Sequence, residues 1–417
     1  MEGDSRRLRR ARRRRPADPG AEPWFRLPPA PTGDGPVLIL GAGLAGCHLA
    51  ASLAARAQDV ILLERGPSVA VGASGNPAAV AKPFVTRAPS DAGEFLAAAH
   101  DQLRERLAVG RLAALAGYRR CGALQLTESP YPAHARYRVL DAADASAEAG
   151  TPLPSGALAF DDAGWLDPAA LCRALVDDAL SDGAQLALDA DIRTIEAPGG
   201  RHGWRLVARD GRRWEGRALV LANGTAVAAT DWTRDLPLLP ARGQISRFAL
   251  RRSDSAPRCV VAGRRYAIPD GETLYVGATF ERGVDDASAR TSDDAANLAG
   301  LRALLPGVAV RPEPVSSHAG VRASTPDRMP IVGPVPDFAA CRALYADLSR
   351  GRDPQAYPPA PCVPGLAVSG GFGSRGVVGA PLAAALLADW LDGGDALQRW
   401  TPQLHPLRFA IRTARRG

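Results

Sequence analysis

The sequence feature that most constrains the fold is a glycine-rich turn that joins a short apolar run to a helical segment. The apolar run Val37–Leu40 leads directly into Gly41-Ala42-Gly43-Leu44-Ala45-Gly46, which has the pattern GxGxxG. An alanine-rich helical stretch follows to about residue 56, and a second apolar run, Val60–Leu63, ends at Glu64. A strand–helix–strand unit of about 30 residues is what a parallel sheet requires. The sequence therefore predicts an α/β protein with a nucleotide-binding unit of the Rossmann type.

The glycines of this turn have the spacing of a site for a dinucleotide pyrophosphate. Gly41 permits the tight turn, Gly43 lets the backbone approach the phosphates, and Gly46 lets the helix pack closely on the strand. The helix N-terminus adds free N–H groups and the positive end of its dipole. Glu64, 18 residues after Gly46, is placed to accept hydrogen bonds from ribose hydroxyls. The alternative is a glycine turn that holds no ligand.

Two further loops distinguish between the nucleotide cofactors. Residues 71–76 form a second small-residue loop, and residues 370–376 form a third glycine cluster, which follows an apolar run at 366–369. A flavin ring gains negative charge on reduction, and a late helix N-terminus supplies donors that stabilise this charge. An NAD dehydrogenase needs no such element, so FAD is predicted. The residues assigned to FAD are Gly41, Gly43, Leu44, Ala45, Gly46, Glu64, Arg65, Ala73, Ser74, Gly75, Asn76, Gly371, Gly373, Ser374, Arg375 and Gly376.

Seven motifs carry a resemblance to a known family. They are GAGLAG (41–46), LLERG (62–66), GASGN (72–76), LPARGQISRF (239–248), GATFERG (277–283), STPDRMPIVGPVPD (324–337) and GGFGSRG followed by APL (370–382). Over residues 36–410 the chain resembles the D-amino acid oxidase/glycine oxidase superfamily of flavoproteins. Within that superfamily it resembles the FAD-dependent oxidase domain of the bifunctional tRNA 5-methylaminomethyl-2-thiouridine biosynthesis proteins, because GASGN and GSRG…APL are typical of that branch.

The resemblance implies a fold and a domain organisation. The expected architecture is a discontinuous Rossmann-like FAD-binding domain of the glutathione-reductase type, with an antiparallel-sheet substrate domain as in D-amino acid oxidase. The expected segments are 36–85, 155–225 and 320–400 for the FAD domain, 86–154 and 226–319 for the substrate domain, and 401–417 for a C-terminal basic segment. Residues 1–35 are rich in Arg, Pro and Gly and are expected to be a disordered tail.

The resemblance also implies an activity. The substrate would be tRNA with a carboxymethylaminomethyl group on its wobble uridine. Oxidation at the Cα–N bond would pass a hydride to flavin N5, and hydrolysis of the imine would give aminomethyluridine and glyoxylate. Oxygen would reoxidise the flavin. Two alternatives stay open, namely an oxidase of free small amino acids or secondary amines, and a flavoprotein that has lost catalysis and acts as a binding partner.

The resemblance assigns roles to three residues near the expected flavin. Arg322 aligns with the substrate-binding arginine of glycine oxidase and would anchor the carboxylate bidentately, unless it pairs with an acid such as Asp327. Tyr266 matches a tyrosine that faces the substrate, although tyrosines in strand-rich regions are often core residues. Gly320 stands where some relatives attach FAD through a cysteine, so non-covalent FAD is expected.

Other candidates remain open at this stage. Lys82 faces the flavin or the substrate, or else is a solvated surface residue. The side chains of Ser374 and Arg375 point either to FAD or to a wobble base, and His318 is expected to be structural. A methyltransferase domain usually precedes the oxidase domain in this family, and only about 35 residues precede it here. We therefore expect the oxidase step alone, with a separate tRNA methyltransferase as a partner.

The net charge of +7 is concentrated at the N-terminus. Residues 1–15 hold eight arginines against Glu2 and Asp4, which leaves the rest of the chain near +1. The tail is therefore either a nucleic-acid-binding arm or the remnant of a linker or an overextended start. A secretory signal is disfavoured, because no apolar core of about 7–15 residues follows. The candidate phosphate contacts are the tail arginines, Arg119, Arg120, Arg251, Arg252, Arg264, Arg265 and residues 412–416.

The cysteines and the hydropathy pattern limit the class of protein further. The six cysteines are scattered without a CxxC pair, which predicts neither disulfides nor a metal site and is typical of a reduced, cytoplasmic protein. No run approaches about 18 apolar residues, so no membrane-spanning helix is expected.

Overall fold

The computed structural model describes residues 22–129, 131–198, 203–251 and 256–416, in which strands and helices alternate. The strands are β1 Val37–Leu40, β2 Val60–Leu63, β3 Ala79–Ala81, β4 Ala123–Leu126, β5 Arg138–Leu140, β6 Ala157–Phe160, β7 Gly164–Leu166, β8 Gln185–Ala187, β9 Ile192–Glu196, β10 Trp204–Ala208, β11 Arg213–Gly216, β12 Ala218–Leu221, β13 Leu239–Leu250, β14 Val260–Ala262, β15 Tyr266–Asp270, β16 Thr273–Gly277, β17 Glu281–Arg282, β18 Val310–Ser324, β19 Ile331–Pro336 and β20 Cys362–Gly370. The helices are α1 Leu44–Ala54, α2 Asp91–Ala108, α3 Leu112–Leu115, α4 Ala142–Ala149, α5 Pro168–Ser181, α6 Thr291–Leu304, α7 Phe338–Leu344, α8 Gly376–Leu391, α9 Thr401–Leu404 and α10 Arg408–Ala414.

The first sheet is the nucleotide-binding sheet that the glycine turn predicts. Its strand order is β19-β20-β12-β1-β2-β8, and all neighbours are parallel except β19, which is antiparallel at the edge. Strand β1 is apolar throughout because both faces of the sheet are covered. Val37 and Ile39 pack towards the helices, and Leu38 and Leu40 pack towards the small β9–β11 sheet. The chain passes from β1 to β2 on one side while β12 lies on the other, so a crevice opens at the carboxyl ends of the strands.

The helical layer on this sheet consists mainly of α1, α5, α8 and α2. Helix α5 begins at Pro168, because the Asp167 carboxylate caps it by accepting hydrogen bonds from the amides of Ala169 at 2.8 Å and Ala170 at 3.0 Å. Helix α2 was expected in the substrate domain. Its buried side chains, including Phe95 and Leu103, instead join the same core as α1 and α8. The boundary predicted at residue 86 is therefore wrong for this helix.

The second sheet is largely antiparallel and lies beside the first. Its order is β17-β13-β16-β15-β14-β4-β6-β5, and β18 pairs along the other edge of β13. Helices α4 and α6 bury their apolar faces against it, with Leu301 and Leu304 of α6 in its core. Strand β6 pairs with β4 and β5 in this sheet, so the boundary predicted at residue 155 comes too early. The predicted combination of a Rossmann-like domain and an antiparallel-sheet domain is confirmed.

The segment from residue 22 to residue 35 packs against the protein body. Trp24 is fully buried and makes edge-on ring contacts with Tyr345 and Tyr357 at centroid distances of 5.8 and 6.0 Å. The amide of Leu27 donates to Gln398 Oε1 at 2.9 Å. Disorder was therefore wrongly predicted for these residues, because an aromatic anchor outweighs the Pro- and Gly-rich composition around it. The rest of the predicted tail, residues 1–21, lies outside the described residues.

The C-terminal helix α10 holds the loop between β18 and β19 through a buried ion pair. Arg408 is about 1% exposed and donates to both oxygens of Asp327 at 2.9 Å and to the carbonyl of Met329 at 2.9 Å. Arg412 donates to the same carboxylate at 2.6 Å. Burial opposes ionisation of Asp327, but the two guanidinium groups outweigh it and hold its pKa at about 2.

Replacing Arg408 by Met should lower the free energy of unfolding by about 3–5 kcal/mol, because the Asp327 charge then lacks its buried partner. The matched control is Arg399→Met, which removes an exposed pair with Glu94 and should cost at most about 1 kcal/mol. Denaturant titration of the two variants measures both values. Equal losses of unfolding free energy in the two variants would show that the buried pair stabilises the protein no more than the exposed pair does.

The Asp327 interaction also predicts a pH dependence. Because its pKa is lower in the folded state, its contribution is present above about pH 4, the unfolded pKa, and is lost as the pH falls towards 2. In Arg408→Met this part of the acid destabilisation should shrink, which unfolding titrations between those pH values would measure.

Candidate active site

A cleft of about 630 Å³ lies at the carboxyl ends of β1, β2, β12 and β20 and extends to β18. Its volume is in the range of ligand sites in proteins. It brings together most of the residues predicted from three distant parts of the chain. The predicted residues that line it are Gly41, Gly43, Leu44, Ala45, Glu64, Arg65, Ala73, Ser74, Asn76, Arg322, Gly371, Gly373, Ser374 and Gly376. The predicted residues outside its lining are Gly46, Gly75, Tyr266 and Arg375.

The glycine turn has the geometry that its spacing predicts. Gly41 has φ +107°, and a Cβ there would lie 2.7 Å from the Cα of Asn223 at the end of β12. A Cβ on Gly46 would overlap the carbonyl oxygen of Gly41, which explains the close packing of α1 on β1. A Cβ on Gly43 would lie 2.9 Å from Ser74 Oγ. Side chains at these positions would therefore fill the space beside the helix N-terminus.

Glu64 is held rigidly at the cleft. It is about 6% exposed, and its two carboxylate oxygens accept hydrogen bonds from the amides of Ala42 at 2.9 Å and Gly66 at 3.0 Å. Each oxygen retains a further acceptor site, so the group can also accept hydrogen bonds from hydroxyl groups of a ligand. The same region links to the second loop, because the Leu44 amide donates to Ser74 Oγ at 3.0 Å.

The sequence analysis missed part of the cleft. Residues 223–226, which follow β12, line it, as do Asp285 and Ala287 after β17. An Asn-Gly pair directly after the apolar run of β12 is a sequence signal for the first group, since carboxyl ends of parallel strands meet at one edge of the sheet. No local pattern indicates the second group, which reaches the cleft only through the pairing of β17 with β13.

Arg322 on β18 lines the cleft and makes no hydrogen bond or ion pair with another residue in the described ranges. Its guanidinium lies directly over Gly243 of β13, where a side chain would displace it. Burial lowers its pKa, and the phenol of Tyr266 opposes that shift, but an arginine remains charged. The alternative partner Asp327 is occupied by Arg408 and Arg412. Arg322 is therefore a cation available to an anionic ligand.

Tyr266 lies close to Arg322 but outside the lining of the main cleft. Its hydroxyl would be 3.0 Å from a Cβ on Gly277, its register partner on β16, so the ring lies over that glycine. Burial raises the pKa of its phenol, while Arg322 and then Asn76 oppose the shift. The hydroxyl is therefore protonated at neutral pH and can act as a hydrogen-bond donor.

A small cavity of about 10 Å³ adjoins Arg322 and is lined in part by Asn76, His318 and Gly243. Asn76 Oδ1 and His318 Nε2 are buried there without a hydrogen-bond partner in the described residues. Burial, and then the charge of Arg322, lower the pKa of His318, so the imidazole is neutral at pH 7. Arg322 is therefore the cation at this end of the cleft, and His318 adds polar, uncharged surface.

Two basic residues that the sequence left open do not line the cleft. Lys82 Nζ donates to Gln125 Oε1 at 2.6 Å and lies 5.0 Å from the ring centroid of Phe160. Burial, with a smaller effect of Arg375, lowers the pKa of Lys82 to about 8. The guanidinium of Arg375 lies 3.9 Å from the ring centroid of Phe84. Ser374 lines the cleft and Arg375 does not.

In the ranges that the structure describes, no group of His, Cys, Asp and Glu side chains is arranged to hold a metal ion, and no helix is long and apolar enough to cross a membrane. The six cysteines all lie in these ranges, are unpaired, and none of them lines the cleft.

A model of the family described as FAD dependent oxidoreductase matches residues 36–390. The chain belongs to this family. FAD is its cofactor, as predicted, and the resemblance inferred from the motifs is confirmed. The family includes oxidoreductases whose fold combines the two kinds of sheet described above.

Curated relatives extend over nearly the whole chain. The tRNA 5-methylaminomethyl-2-thiouridine biosynthesis bifunctional protein MnmC of Ectopseudomonas mendocina (strain ymp) is 33% identical over 422 residues, covering 96% of this chain and 63% of the relative. The protein of the same name from Pseudomonas putida (strain W619) is 34% identical over 425 residues, with the same coverage. The chain thus spans about 63% of the length of these relatives.

Solved structures share the fold. Glycine oxidase from Geobacillus kaustophilus aligns with a TM-score of 0.68 at 22% identity, over 87% of this chain and 96% of that chain. L-proline dehydrogenase from P. horikoshii aligns with a TM-score of 0.70 at 13% identity, over 91% of this chain and 98% of that chain. At these identities the comparison supports the architecture alone, and it agrees with the predicted fold class.

The glycine turn generates a prediction for FAD binding. Gly41→Ala should reduce the FAD content of the purified protein at least about tenfold, because the new Cβ meets the Asn223 backbone and forces a shift of the turn. Gly211→Ala is the matched control, since Gly211 has φ +88° but no atom within 4 Å of its Cβ position. Flavin absorbance per protein measures the effect. A flavin content in Gly41→Ala equal to that of the control would contradict this account of the turn.

Proposed function

We propose that this protein is an FAD-dependent oxidase of the carboxymethylaminomethyl group on the wobble uridine of tRNA, with aminomethyluridine and glyoxylate as products. The observation that carries the proposal is the unpaired guanidinium of Arg322 in the FAD cleft, which fits the carboxylate of a glycine-like arm. The similarity to proteins named for tRNA 5-methylaminomethyl-2-thiouridine biosynthesis supports a tRNA uridine as the group to which that arm is attached.

The cleft residues fit FAD. Gly41, Gly43 and the N-terminus of α1 would hold the pyrophosphate, because backbone N–H groups and the absence of side chains leave room for it. Glu64 would bind the ribose hydroxyls. The N-terminus of α8, with Gly373, would face the flavin ring. FAD would be non-covalent, since residue 320 is a glycine and no cysteine lines the cleft.

Arg322 would fix the substrate for the reaction. A guanidinium binds a carboxylate through two parallel N–H···O bonds, which sets both the position and the orientation of the adjacent Cα. No acid among the described residues pairs with Arg322, so these donors are available. Tyr266 would donate a hydrogen bond from its protonated phenol on the same side. Because the Cα is already held in position when the substrate is bound, less entropy is lost on reaching the transition state.

When bound, FAD supplies the two-electron acceptor for oxidation of the Cα–N bond. Removal of a hydride from Cα and a proton from nitrogen leaves a substrate imine. Water adds to the imine carbon, and the C–N bond then breaks to release glyoxylate and the aminomethyl group. The neutral imidazole of His318 leaves Arg322 as the cation at the substrate end, so the carboxylate has one preferred position. Oxygen would serve as the final acceptor, with release of peroxide.

The proposal has consequences for partners and location. A wobble-uridine substrate places the protein in the cytoplasm. The name of the curated relatives includes a methylaminomethyl group, so a methylation of the product would follow, and a tRNA methyltransferase is the proposed partner for that step. Several predicted phosphate contacts already have partners, since Arg120 pairs with Asp162 and Arg412 pairs with Asp327. Binding of tRNA would therefore depend less on these arginines than the sequence indicates.

The second candidate function is oxidation of a free small amino acid or secondary amine. The same Arg322 would bind the carboxylate of glycine or sarcosine, and the fold is that of glycine oxidase. The two functions differ in what lies beyond the amine nitrogen of the substrate. Direct comparison of tRNA with glycine, sarcosine and D-amino acids as substrates distinguishes them.

Arg322→Ala should lower kcat/KM on tRNA by about 100-fold or more, because it removes a charge-assisted bidentate contact in a partly buried site. Arg311→Ala, an exposed residue on the same strand, is the matched control and should leave the rate within about twofold. The measurement is mass spectrometry of nucleosides after incubation of the holoenzyme with tRNA that carries carboxymethylaminomethyluridine.

The same measurement in cells tests the assignment. Cells that lack this protein and have no redundant enzyme should accumulate carboxymethylaminomethyluridine, and wild type but not Arg322→Ala should reverse it. An unchanged nucleoside profile, together with peroxide release from free amines by the purified protein, would instead establish the second candidate.

A further inference from the structure

A large aromatic side chain, Phe280, is exposed immediately before β17, the strand that precedes the cleft residues Asp285 and Ala287. Phe280 is 49% exposed, which is unusual for a phenylalanine with no apolar cluster around it. The guanidinium carbon of Arg282 lies 5.9 Å from its ring centroid. Arg282 is exposed and makes no ion pair with another residue in the described ranges. We call Phe280 and Arg282 the stacking platform.

Strand register places this platform on the same face of the sheet as Arg322. Arg282 is paired with Ala241 of β13, and Ala241 is paired on its other side with Arg322 of β18. Directly opposed residues in antiparallel strands point to the same face, so both arginines project to the cleft side. Two strand spacings separate their backbones, which is about 10 Å. Asp285 and Ala287, which follow shortly in the chain, line the cleft itself.

The neighbouring residue projects to the opposite face, which supports this assignment. Glu281 pairs with Arg290 at 3.0 Å, at the start of α6. Arg242, which is opposite Glu281, is fully buried and pairs with Asp293 of the same helix. The face away from the cleft is thus occupied by a packed helix, whereas the platform has no covering element among the described residues. Asp286 also pairs with Arg290, at 2.8 Å.

We propose that the stacking platform binds the uracil ring that carries the substrate arm. Nucleic-acid-binding proteins stack unpaired bases on aromatic rings and on guanidinium planes, and Phe280 with Arg282 offers both. Arg282 also supplies an unpaired positive charge for the adjoining phosphate. This inference rests on the proposed function, and it names the group by which the site would distinguish tRNA from a free amine.

The length of the arm agrees with the spacing of the two arginines. Four bonds connect the uracil C5 to the carboxylate carbon, which spans about 5 Å when extended. A charge-assisted contact of about 2.8 Å to Arg322 places C5 about 8 Å from the guanidinium. The backbones of Arg282 and Arg322 are about 10 Å apart across two strands, which is of the same order as this length.

The test uses the holoenzyme and an anticodon stem-loop RNA with carboxymethylaminomethyluridine at the wobble position. Phe280→Leu keeps an apolar side chain of similar volume and removes the ring, and it should raise KM for the RNA about 5- to 150-fold. Phe280→Trp keeps an aromatic face and should restore KM to within about threefold. Val315→Ala is the control, because Val315 is 58% exposed on the same sheet at a distance from the cleft, and it should leave KM unchanged.

The outcomes separate the two levels of the proposal. A wild-type enzyme that does not oxidise the RNA refutes the proposed function, and the platform is refuted with it. A wild-type enzyme that is active, while Phe280→Leu retains the wild-type KM, refutes the platform alone. A KM increase in Phe280→Leu that Phe280→Trp does not reverse refutes stacking as its cause. Flavin content and thermal unfolding verify that each variant is folded.

Discussion

The long antiparallel ladder between β13 and β18 is the interaction on which the site depends. It runs from the pair Leu239–Ser324 to the pair Leu250–Val310, and it joins the second sheet to the chain segment that enters the first sheet at β19. Gly243 and Gly320 are directly paired within it. Arg322 projects from this ladder over Gly243, so the position of its charge is set by backbone pairing and not by a side-chain partner. The backbone that carries this unpaired cation is therefore fixed by strand pairing.

The buried arginines differ in whether they have an acidic partner among the described residues, and this difference distinguishes the site. Arg242 and Arg408 are almost fully buried, and each has an acidic partner, Asp293 and Asp327 respectively. Such pairing offsets the desolvation that an isolated charge would suffer. Arg322 is also largely removed from solvent, but it has no acidic partner among the described residues. Burial therefore lowers the pKa of its guanidinium. An uncompensated cation of this kind is costly for the free protein, and an incoming carboxylate relieves that cost, which favours binding.

The sequence predicted features that depend on local spacing and did not predict those that depend on long-range packing. The glycine turn and Glu64 are local, because each glycine is required by atoms a few residues away in a strand–helix–strand unit. The burial of Trp24 depends on Tyr345 and Tyr357, more than 300 residues later, and nothing near Trp24 indicates them. The membership of α2 and β6 in the two layers is likewise decided by partners distant in sequence. Arg375 illustrates the limit within a motif, since the spacing located the loop but not the direction of the side chain, which the Phe84 ring determines.

Charge outside the tail is close to balanced, and this affects how an RNA substrate is recognised. Phosphate contacts give affinity that depends on salt and carries no information about the base. With Arg120 and Arg412 already paired to acids, fewer cations remain for such contacts. Recognition would instead depend on two points, the carboxylate at Arg322 and the uracil ring at Phe280. A free amino acid engages only the first point, so the same cleft can bind it while discriminating against it by the free energy of base stacking.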